Sequence, residues 1–307
     1  MMLGYPELTC YTTNLVACLE PTDPAVRQRL ADGVRLAVRT DLPDGLAFSH
    51  HPRLDVDDRG YGLTYRSAPA WEPARAELRA ELAEAGQVLA CGDTYQLPWS
   101  PSYGRTHAPH WLLLREHDQG RWLVADHFAA LTPAGWQDPY LGWLDDAQLS
   151  AALRPIADPA PEQVDRDRYA LGTPVELPPV THVRWLARHP DAATTREGTW
   201  IDEPGAALRH VAQTLLANGQ LLARHIEDLW AASRHFRYRH GEHAAAGRID
   251  PHAAQVACDA WEQLPRALRF AADSATRGRP RPGVLTQAFD QLISTLPACV
   301  ATIEESP

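Results

Sequence analysis

Lysine is absent from the sequence, and all 29 basic residues are arginine. Mechanisms that depend on a lysine amine, including Schiff-base and pyridoxal phosphate chemistry, are therefore excluded for this chain. The net charge of -10 argues against a nucleic-acid partner, because affinity for a phosphate backbone depends on clustered cations. Neither a lysine-based enzyme nor a nucleic-acid-binding protein is expected.

Long apolar runs are missing as well. Runs such as residues 111–114 and 221–223 are far too short to cross a bilayer. The N-terminus has no basic segment followed by an apolar one, which an export signal would require. We therefore expect a cytoplasmic protein that has no membrane partner.

Paired cysteines are also lacking. The cysteines lie at positions 10, 18, 91, 258 and 299, without any C-x-x-C spacing. This pattern predicts neither a disulfide framework nor a zinc module, so free thiols are expected. Apolar surroundings indicate packing roles for four of them: Cys18, Cys91, Cys258 and Cys299.

The composition is typical of a globular protein with its own core, since 45% of the 307 residues are hydrophobic and 22% are charged. Many prolines lie between residues 155 and 179, where few regular elements are expected. We predict an α+β N-terminal domain over residues 1–153, a proline-rich connection over 154–202 and an all-helical domain over 203–307. The helices predicted for the last domain cover residues 204–216, 220–238, 251–272 and 282–296.

Helical and extended patterns alternate in the N-terminal domain. Apolar residues recur at helical spacing from Cys10 to Leu19, and Thr9 is a favourable N-cap, so Cys10 is predicted to open a helix. Further helices are predicted over residues 25–38 and 74–85, and strands over 46–48, 61–65 and 87–91. A hairpin is predicted from residues 111–116 and 121–125, with its turn at 118–120.

Cys10 is the candidate nucleophile. A thiol reacts as its thiolate, and the first turn of a helix lowers the pKa of a thiol through unpaired backbone amides. A base must also lie within hydrogen-bond reach, oriented by a third group. The hairpin supplies both, because its cross-strand partners should have numbers that sum to roughly 236 to 238. His110 then lies opposite Asp126 or its neighbour, on the same face.

Two features of this candidate site stay open. His107 is a rival base, since it lies three residues before His110. The same pair of histidines is typical of some metal sites, but Pro109 breaks the helix that such spacing needs, and we expect no metal. The oxyanion would be bound by the backbone N–H of Cys10 and by one further donor. Gln96, Thr106 and the amides before Cys10 are the candidates.

Three segments together resemble a known family. They are Leu8-Thr-Cys-Tyr-Thr-Thr-Asn14, the stretch from Asp93-Thr-Tyr-Gln-Leu-Pro-Trp-Ser-Pro-Ser-Tyr103 to His107-Ala-Pro-His110, and Val124-Ala-Asp126. They are similar to the butirosin biosynthesis protein H-like acyltransferases, over residues 5 to 150 and more loosely over the helical C-terminal half. The stretch from Asp93 to His110 is the specific part of the resemblance.

The resemblance implies a papain-like fold, in which helices pack on an antiparallel sheet. It also implies a cysteine that accepts an acyl group from an acyl-carrier-protein thioester and passes it to an amine in natural-product biosynthesis. Cys10 matches the nucleophile, His110 the base and Asp126 the orienting acid. The residues implied to shape the substrate pocket are Asp93, Tyr95, Gln96, Pro98, Tyr103 and His107.

The implied donor is carried on the phosphopantetheine arm of a partner carrier protein, so no cofactor of the chain's own is expected. An acidic carrier needs a cationic docking surface. Arg234, Arg237 and Arg239 form the only dense cationic run and are the hypothetical docking face, although such a run is also typical of a solvated helix side.

Three functions remain open at this point. The first is carrier-dependent acyl transfer to an amine, or cyclisation through an amide. The second is a cysteine hydrolase, either a thioesterase or a peptidase, which uses the same three residues with water as acceptor. The third is a noncatalytic binding protein with this fold.

Overall fold

The computed structural model describes residues 8–43, 45–190, 192 and 195–299, and of Cys299 only the backbone. The chain is mixed α/β with antiparallel sheets. It divides into two compact units, of which unit 1 comprises Met1–Arg27 and Arg53–Thr195, and unit 2 comprises Gln28–Pro52 and Arg196–Pro307. Each unit therefore combines segments that are distant in sequence.

The secondary-structure elements are numbered in chain order. The strands are β1 (Ala37–Arg39), β2 (Ala47–Ser49), β3 (Gly62–Ala68), β4 (Val88–Asp93), β5 (Pro109–Asp118), β6 (Arg121–Asp126), β7 (Ala130–Thr132), β8 (Gly135–Gln137), β9 (Tyr140–Asp145), β10 (Val183–His189) and β11 (Trp200–Ile201). The α-helices are α1 (Cys10–Leu19), α2 (Val26–Gly33), α3 (Trp71–Ala85), α4 (Asp146–Ala152), α5 (Pro161–Tyr169), α6 (Pro204–Ala217), α7 (Gly219–Arg224), α8 (Ile226–Ala245), α9 (Pro251–Thr276) and α10 (Pro282–Thr295). None of the described helices meets the length and hydropathy needed to span a membrane.

Unit 1 is built on an antiparallel sheet with strand order β3-β10-β4-β5-β6-β9. Alternate residues of β4 and β5 point to one face, where Leu112 and Leu114 pair with Ala90 and Val88. Leu78 of α3 is buried in the same apolar cluster. Complete burial of one such leucine contributes about 1.5–3 kcal/mol, so this face forms the core of unit 1.

Helix α1 packs on the opposite face. Trp111 of β5 pairs with Cys91 of β4, and the ring of Tyr11 meets the indole of Trp111 edge-on at 4.9 Å. Thr9 caps the helix, since its hydroxyl accepts a hydrogen bond from the backbone N–H of Thr12 at 3.4 Å. The predicted helix over residues 10–19, its N-cap and its first residue are confirmed.

The hairpin of β5 and β6 is confirmed, and its register agrees with the predicted range at the site end, although not beside the turn. Gln119 (φ 47°) and Gly120 (φ 76°) form its two-residue turn, between the paired residues Asp118 and Arg121. A β-bulge after Leu114 then shifts the pairing, so that the ladder ends with Leu113 opposite Ala125. Continued by one step, this register puts Asp126 level with Leu112. His110 is thus a diagonal neighbour of Asp126 on the same face, not its direct partner.

The segment 154–202 is not the connection that its prolines suggested. It contains α5, and it contains β10, which pairs with both β3 and β4 inside the sheet of unit 1. The prolines are confined to residues before 180 and to Pro190, so residues 183–189 keep every backbone N–H that a central strand needs.

Unit 2 contains helices α6 to α10, as the predicted helical patterns require, together with a small antiparallel sheet of order β11-β1-β2. The described elements after residue 203 are all helices, as predicted, whereas the strands of unit 2 lie at residues 37–39, 47–49 and 200–201, outside the predicted domain. The helix predicted over residues 25–38 ends at Gly33, and Ala37–Arg39 is a strand instead. The helix predicted over residues 220–238 is divided at His225 into α7 and α8.

Candidate functional site

Cys10 lies at the head of α1 and is partly exposed. The amide of Asn14, one turn further along the helix, donates to the carbonyl oxygen of Cys10 at 3.1 Å and to that of Trp111 at 2.8 Å. These two bonds attach the first turn of α1 to strand β5. The position of the thiol is therefore set by both the helix and the sheet.

His110 and Asp126 form a buried pair close to this thiol. The Nε2 atom of His110 lies 2.8 Å from Oδ2 of Asp126, and the two residues are only 2% and 0% exposed. Negative charge on Cys10 also raises the pKa of this imidazole. Since Asp126 engages Nε2, the nitrogen left for the thiol is Nδ1. The structure therefore brings the predicted base and acid together, and Asn14 links the backbone of Cys10 to the same carboxylate.

The Asp126 carboxylate is held by several donors besides His110. They are Trp99 Nε1 at 2.9 Å and Gln137 Nε2 at 3.0 Å on Oδ2, and Asn14 Nδ2 at 3.2 Å and the Phe128 backbone N–H at 3.0 Å on Oδ1. A carboxylate bonded by this many N–H groups is favoured in its charged form. It also keeps a single orientation toward the imidazole of His110.

The attraction between His110 and Asp126 favours the charged forms of both side chains, although burial opposes them. Burial alone would lower the pKa of His110, but the charges of Asp126 and Cys10 outweigh it and hold that pKa well above its usual value. Burial would likewise raise the pKa of Asp126, whereas the positive charge of His110 and the bonds from His110, Trp99 and Phe128 keep it lowered. An imidazolium beside a carboxylate is therefore the favoured state at neutral pH.

His107, the rival base, has a carboxylate partner of its own. Its Nδ1 atom lies 2.6 Å from Oδ2 of Asp93, and its ring stacks on Tyr95 with 4.2 Å between centroids. The side chain of His107 is 52% exposed, whereas that of Asp93 is 2% exposed. His110, not His107, is the histidine bonded to Asp126, which favours His110 as the base.

The remaining residues of the predicted pocket lie between β4 and β5. Gln96 is partly buried in a short 3₁₀ helix, Thr94–Gln96, while Pro98 and Tyr103 are exposed. The backbone N–H of Thr106 donates to the carbonyl of Ser102 at 3.2 Å, so this amide does not serve as the second oxyanion donor. Gln96, the hydroxyl of Thr106 and the amides before Cys10 remain candidates.

The cationic run of α8 does not form the docking face that we expected. Arg234 is 6% exposed, and its guanidinium lies 4.7 Å from the ring centroid of Trp230. Arg239 is partly buried and donates to the carbonyl of Val34 at 2.7 Å. Arg237 is also only partly exposed. The helix buries this side because the apolar residues between the arginines belong to the core of unit 2.

Sequence reasoning missed three residues that hold Asp126, namely Asn14, Trp99 and Gln137. Asn14 carried a usable signal, because a residue four positions after Cys10 lies on the same helix face. Trp99 falls in the segment that carried the family resemblance. Gln137 lies on β8, whose three residues are too few to show a period, so its role could not be read from the sequence.

No protein-family model matches the chain, and no curated protein matches it significantly. Among the residues that the structure describes, no three or more His, Cys, Asp or Glu side chains are grouped so as to hold a metal ion.

The other described cysteines allow a test of the reactivity of Cys10. Burial raises the pKa of Cys18 and of Cys91 to about 12, so both thiols are protonated and poorly nucleophilic at pH 7. We predict that iodoacetamide at pH 7 alkylates Cys10 at least about 10-fold faster than Cys18 or Cys91 in the folded protein. Peptide mass spectrometry of time points measures this, with urea-unfolded protein as the control. Equal rates at the three positions in the folded protein would contradict it.

Proposed function

We propose that the chain is a cysteine-dependent acyltransferase with a papain-like fold, in which Cys10 is the nucleophile, His110 the base and Asp126 the orienting acid. The proposal places the acyl donor on an acyl- or peptidyl-carrier protein and takes an amine as acceptor, in natural-product biosynthesis. One observation carries it. His110 bonds the buried Asp126 carboxylate, and Asn14 of α1 bonds both that carboxylate and the backbone carbonyl of Cys10 at the head of the helix.

The first half-reaction forms an acyl-enzyme. The Cys10 thiolate attacks the carbonyl carbon of the donor thioester, and the C–S bond to the pantetheine sulfur breaks. His110, as imidazolium, gives its proton to the leaving thiolate. The backbone N–H of Cys10 points to the developing oxyanion, as the first amide of a helix does. Atoms and charge balance, and His110 ends neutral.

The second half-reaction transfers the acyl group to the acceptor. A neutral amine attacks the Cys10 thioester, the new C–N bond forms and the C–S bond breaks. His110 takes the proton lost by the nitrogen, which restores the thiolate and imidazolium of Cys10 and His110. Exchange of one thioester for another costs little free energy and aminolysis of a thioester runs downhill, so no ATP is required.

In both half-reactions, Asp126 orients the imidazole of His110 for proton transfer. Its bond to Nε2 leaves Nδ1 for the thiol, and its charge stabilises the imidazolium that forms when the thiolate is released. The donors on Asp126, including Trp99 and Gln137, hold the carboxylate in place. The side chains that hold Asp126 in place therefore also support the proposed roles of Cys10, His110 and Asp126.

Intact-protein mass spectrometry tests the proposal. The protein is incubated with a panel of acylated carrier proteins and the matching acyl-N-acetylcysteamine thioesters, first alone and then with added primary amines. Transfer predicts a covalent mass increase of one acyl group that an amine discharges as an amide. Discharge to the free acid, at the same rate with and without amines, would instead indicate a hydrolase. Absence of any adduct across the panel would indicate a noncatalytic protein.

A further inference from the structure

A second aspartate–histidine pair, formed by Asp93 and His107, lies beside the Cys10 site and is not used by the mechanism above. Its Nδ1–Oδ2 distance is 2.6 Å, and Tyr95 stacks on the ring of His107 at 4.2 Å. The carboxylate of Asp93 is buried, whereas 52% of the His107 side chain is exposed. Since Asp93 engages Nδ1, the ring nitrogen left for a ligand is Nε2.

This second pair lies on the face of the sheet that carries α1. Asp93 follows Cys91 by two residues along β4, so their side chains point to the same face. Cys91 pairs with Trp111, on which Tyr11 of α1 packs, and Gly92, next to Asp93, pairs with His110. The exposed imidazole of His107, bonded to Asp93, therefore lies on the α1 face and beside the strand end that carries His110.

Proton counting shows what such a group does in an acyl transfer. A primary amine is an ammonium ion at pH 7, and it must lose two protons to become an amide nitrogen. One leaves before the attack, since an ammonium has no free electron pair, and one leaves with the attack. His110 takes only the second of these. A water molecule, by contrast, loses a single proton to the base as it attacks, and needs no second acceptor.

We propose that His107, oriented by Asp93, accepts the first proton of the acceptor ammonium, which makes a primary aliphatic amine the acceptor class of the site. The N–H bond of the ammonium breaks, its electron pair stays on nitrogen, and Nε2 of His107 gains the proton. The buried Asp93 carboxylate stabilises the resulting imidazolium, which returns the proton to water after transfer. This inference rests on the proposed acyltransferase function.

Two acceptors of different protonation state test the role of His107. Ethanolamine is an ammonium ion at pH 7, whereas hydroxylamine is neutral at that pH and needs no prior loss of a proton. The donor is whichever acyl-N-acetylcysteamine thioester of the panel acylates Cys10, and transfer is followed by mass spectrometry. In His107→Gln we expect the ratio of kcat/KM for ethanolamine to that for hydroxylamine to fall at least about 10-fold, since general base catalysis contributes about 10²–10⁴-fold.

Matched variants separate this role from a structural one. Asp93→Asn should lower the ratio in the same direction, because the imidazolium of His107 loses its partner. His252→Gln removes an exposed histidine of α9 in unit 2 and should leave the ratio within twofold of wild type. A purely structural effect of His107→Gln lowers both rates together and leaves the ratio unchanged, which would overturn the proposal.

The two proposals fail in different ways. If no thioester of the panel acylates Cys10, the acyltransferase function is refuted and the role of His107 falls with it. If Cys10 is acylated but the ratio in His107→Gln stays within twofold of wild type, only the role of His107 is refuted. If wild type releases acid alone and never an amide, the acceptor class is refuted.

Discussion

Replacement of Cys10 by alanine is expected to abolish the acyl adduct and to lower the rate of acyl transfer by at least about 10³-fold, because no other group replaces the nucleophile. The fold should remain intact. Alanine is the best helix former, Thr9 still caps α1, and Cys10 is only partly buried. Intact mass after exposure to the reactive thioester and steady-state kinetics measure the loss, and circular dichroism checks the fold.

The matched control is Cys258→Ala. Cys258 is partly exposed on α9, and its thiol lies 3.9 Å from the carbonyl of Arg237. This substitution should leave both the adduct and the transfer rate within about twofold of wild type, as expected for a small change at a partly exposed residue of the other unit. An adduct that persists in Cys10→Ala but vanishes in Cys258→Ala would move the nucleophile to unit 2 and discard the assignment of Cys10.

The parts of the site that sequence predicted are those fixed by local interactions. Thr9 and the apolar spacing after it define the start of α1 within a few residues. The turn at Gln119 and Gly120 defines the hairpin in the same way, since those two residues alone set the positive φ angles that join its strands. Because both signals are local, the thiol and the strand ends could be placed before the fold was known.

The parts that sequence did not predict depend on pairing between distant segments. Strand β10 lies between β3 and β4, far from both along the chain, and the many prolines before it hid its extended pattern. Strand β11, with two residues, pairs with β1, and neither is long enough to show a period. Residues 28–52 belong to unit 2 because β1, which they contain, pairs with β11. No local sequence pattern predicts such long-range pairing.

The hairpin register deviates from the prediction beside the turn, where Asp118 pairs with Arg121. The bulge after Leu114 adds a residue to β5 and returns the pairing at the site end, with Leu113 opposite Ala125, to the predicted range. The diagonal relation of His110 and Asp126 is compatible with their bond, because a long polar side chain reaches across the wider diagonal on one face. Trp99 and Gln137 complete the contacts of the carboxylate from outside the hairpin.

The charged pair also makes stability depend on pH in a defined sense. Because the pKa of Asp126 is lowered by folding, its contribution is present above the unfolded value of about 3.9 and is lost as pH falls through the folded pKa. Because the pKa of His110 is raised, its contribution is present below about 6.5 and is lost as pH rises through the folded pKa. The pair therefore stabilises the fold fully between about pH 4 and 6.5.

Replacement of Asp126 by asparagine is expected to lower the rate of acylation by about 10²–10³-fold while leaving the site of the adduct on Cys10. The substitution removes the charge that favours the imidazolium of His110, so the pKa of His110 should fall. It also turns one oxygen that accepts N–H bonds into an N–H donor facing other donors, such as Trp99 and Gln137. That mismatch should cost about 1–3 kcal/mol in the free energy of unfolding.

Three measurements on Asp126→Asn separate its role in catalysis from its role in folding. Urea unfolding gives the stability change, histidine NMR gives the pKa of His110, and intact mass against time gives the acylation rate at a temperature where the variant is folded. Asp138→Asn, which changes an exposed carboxylate bonded to Trp136, is the matched control and should acylate within twofold of wild type. Wild-type acylation by folded Asp126→Asn would remove Asp126 from the mechanism and leave it a structural residue, because the charge that the mechanism requires would then be dispensable.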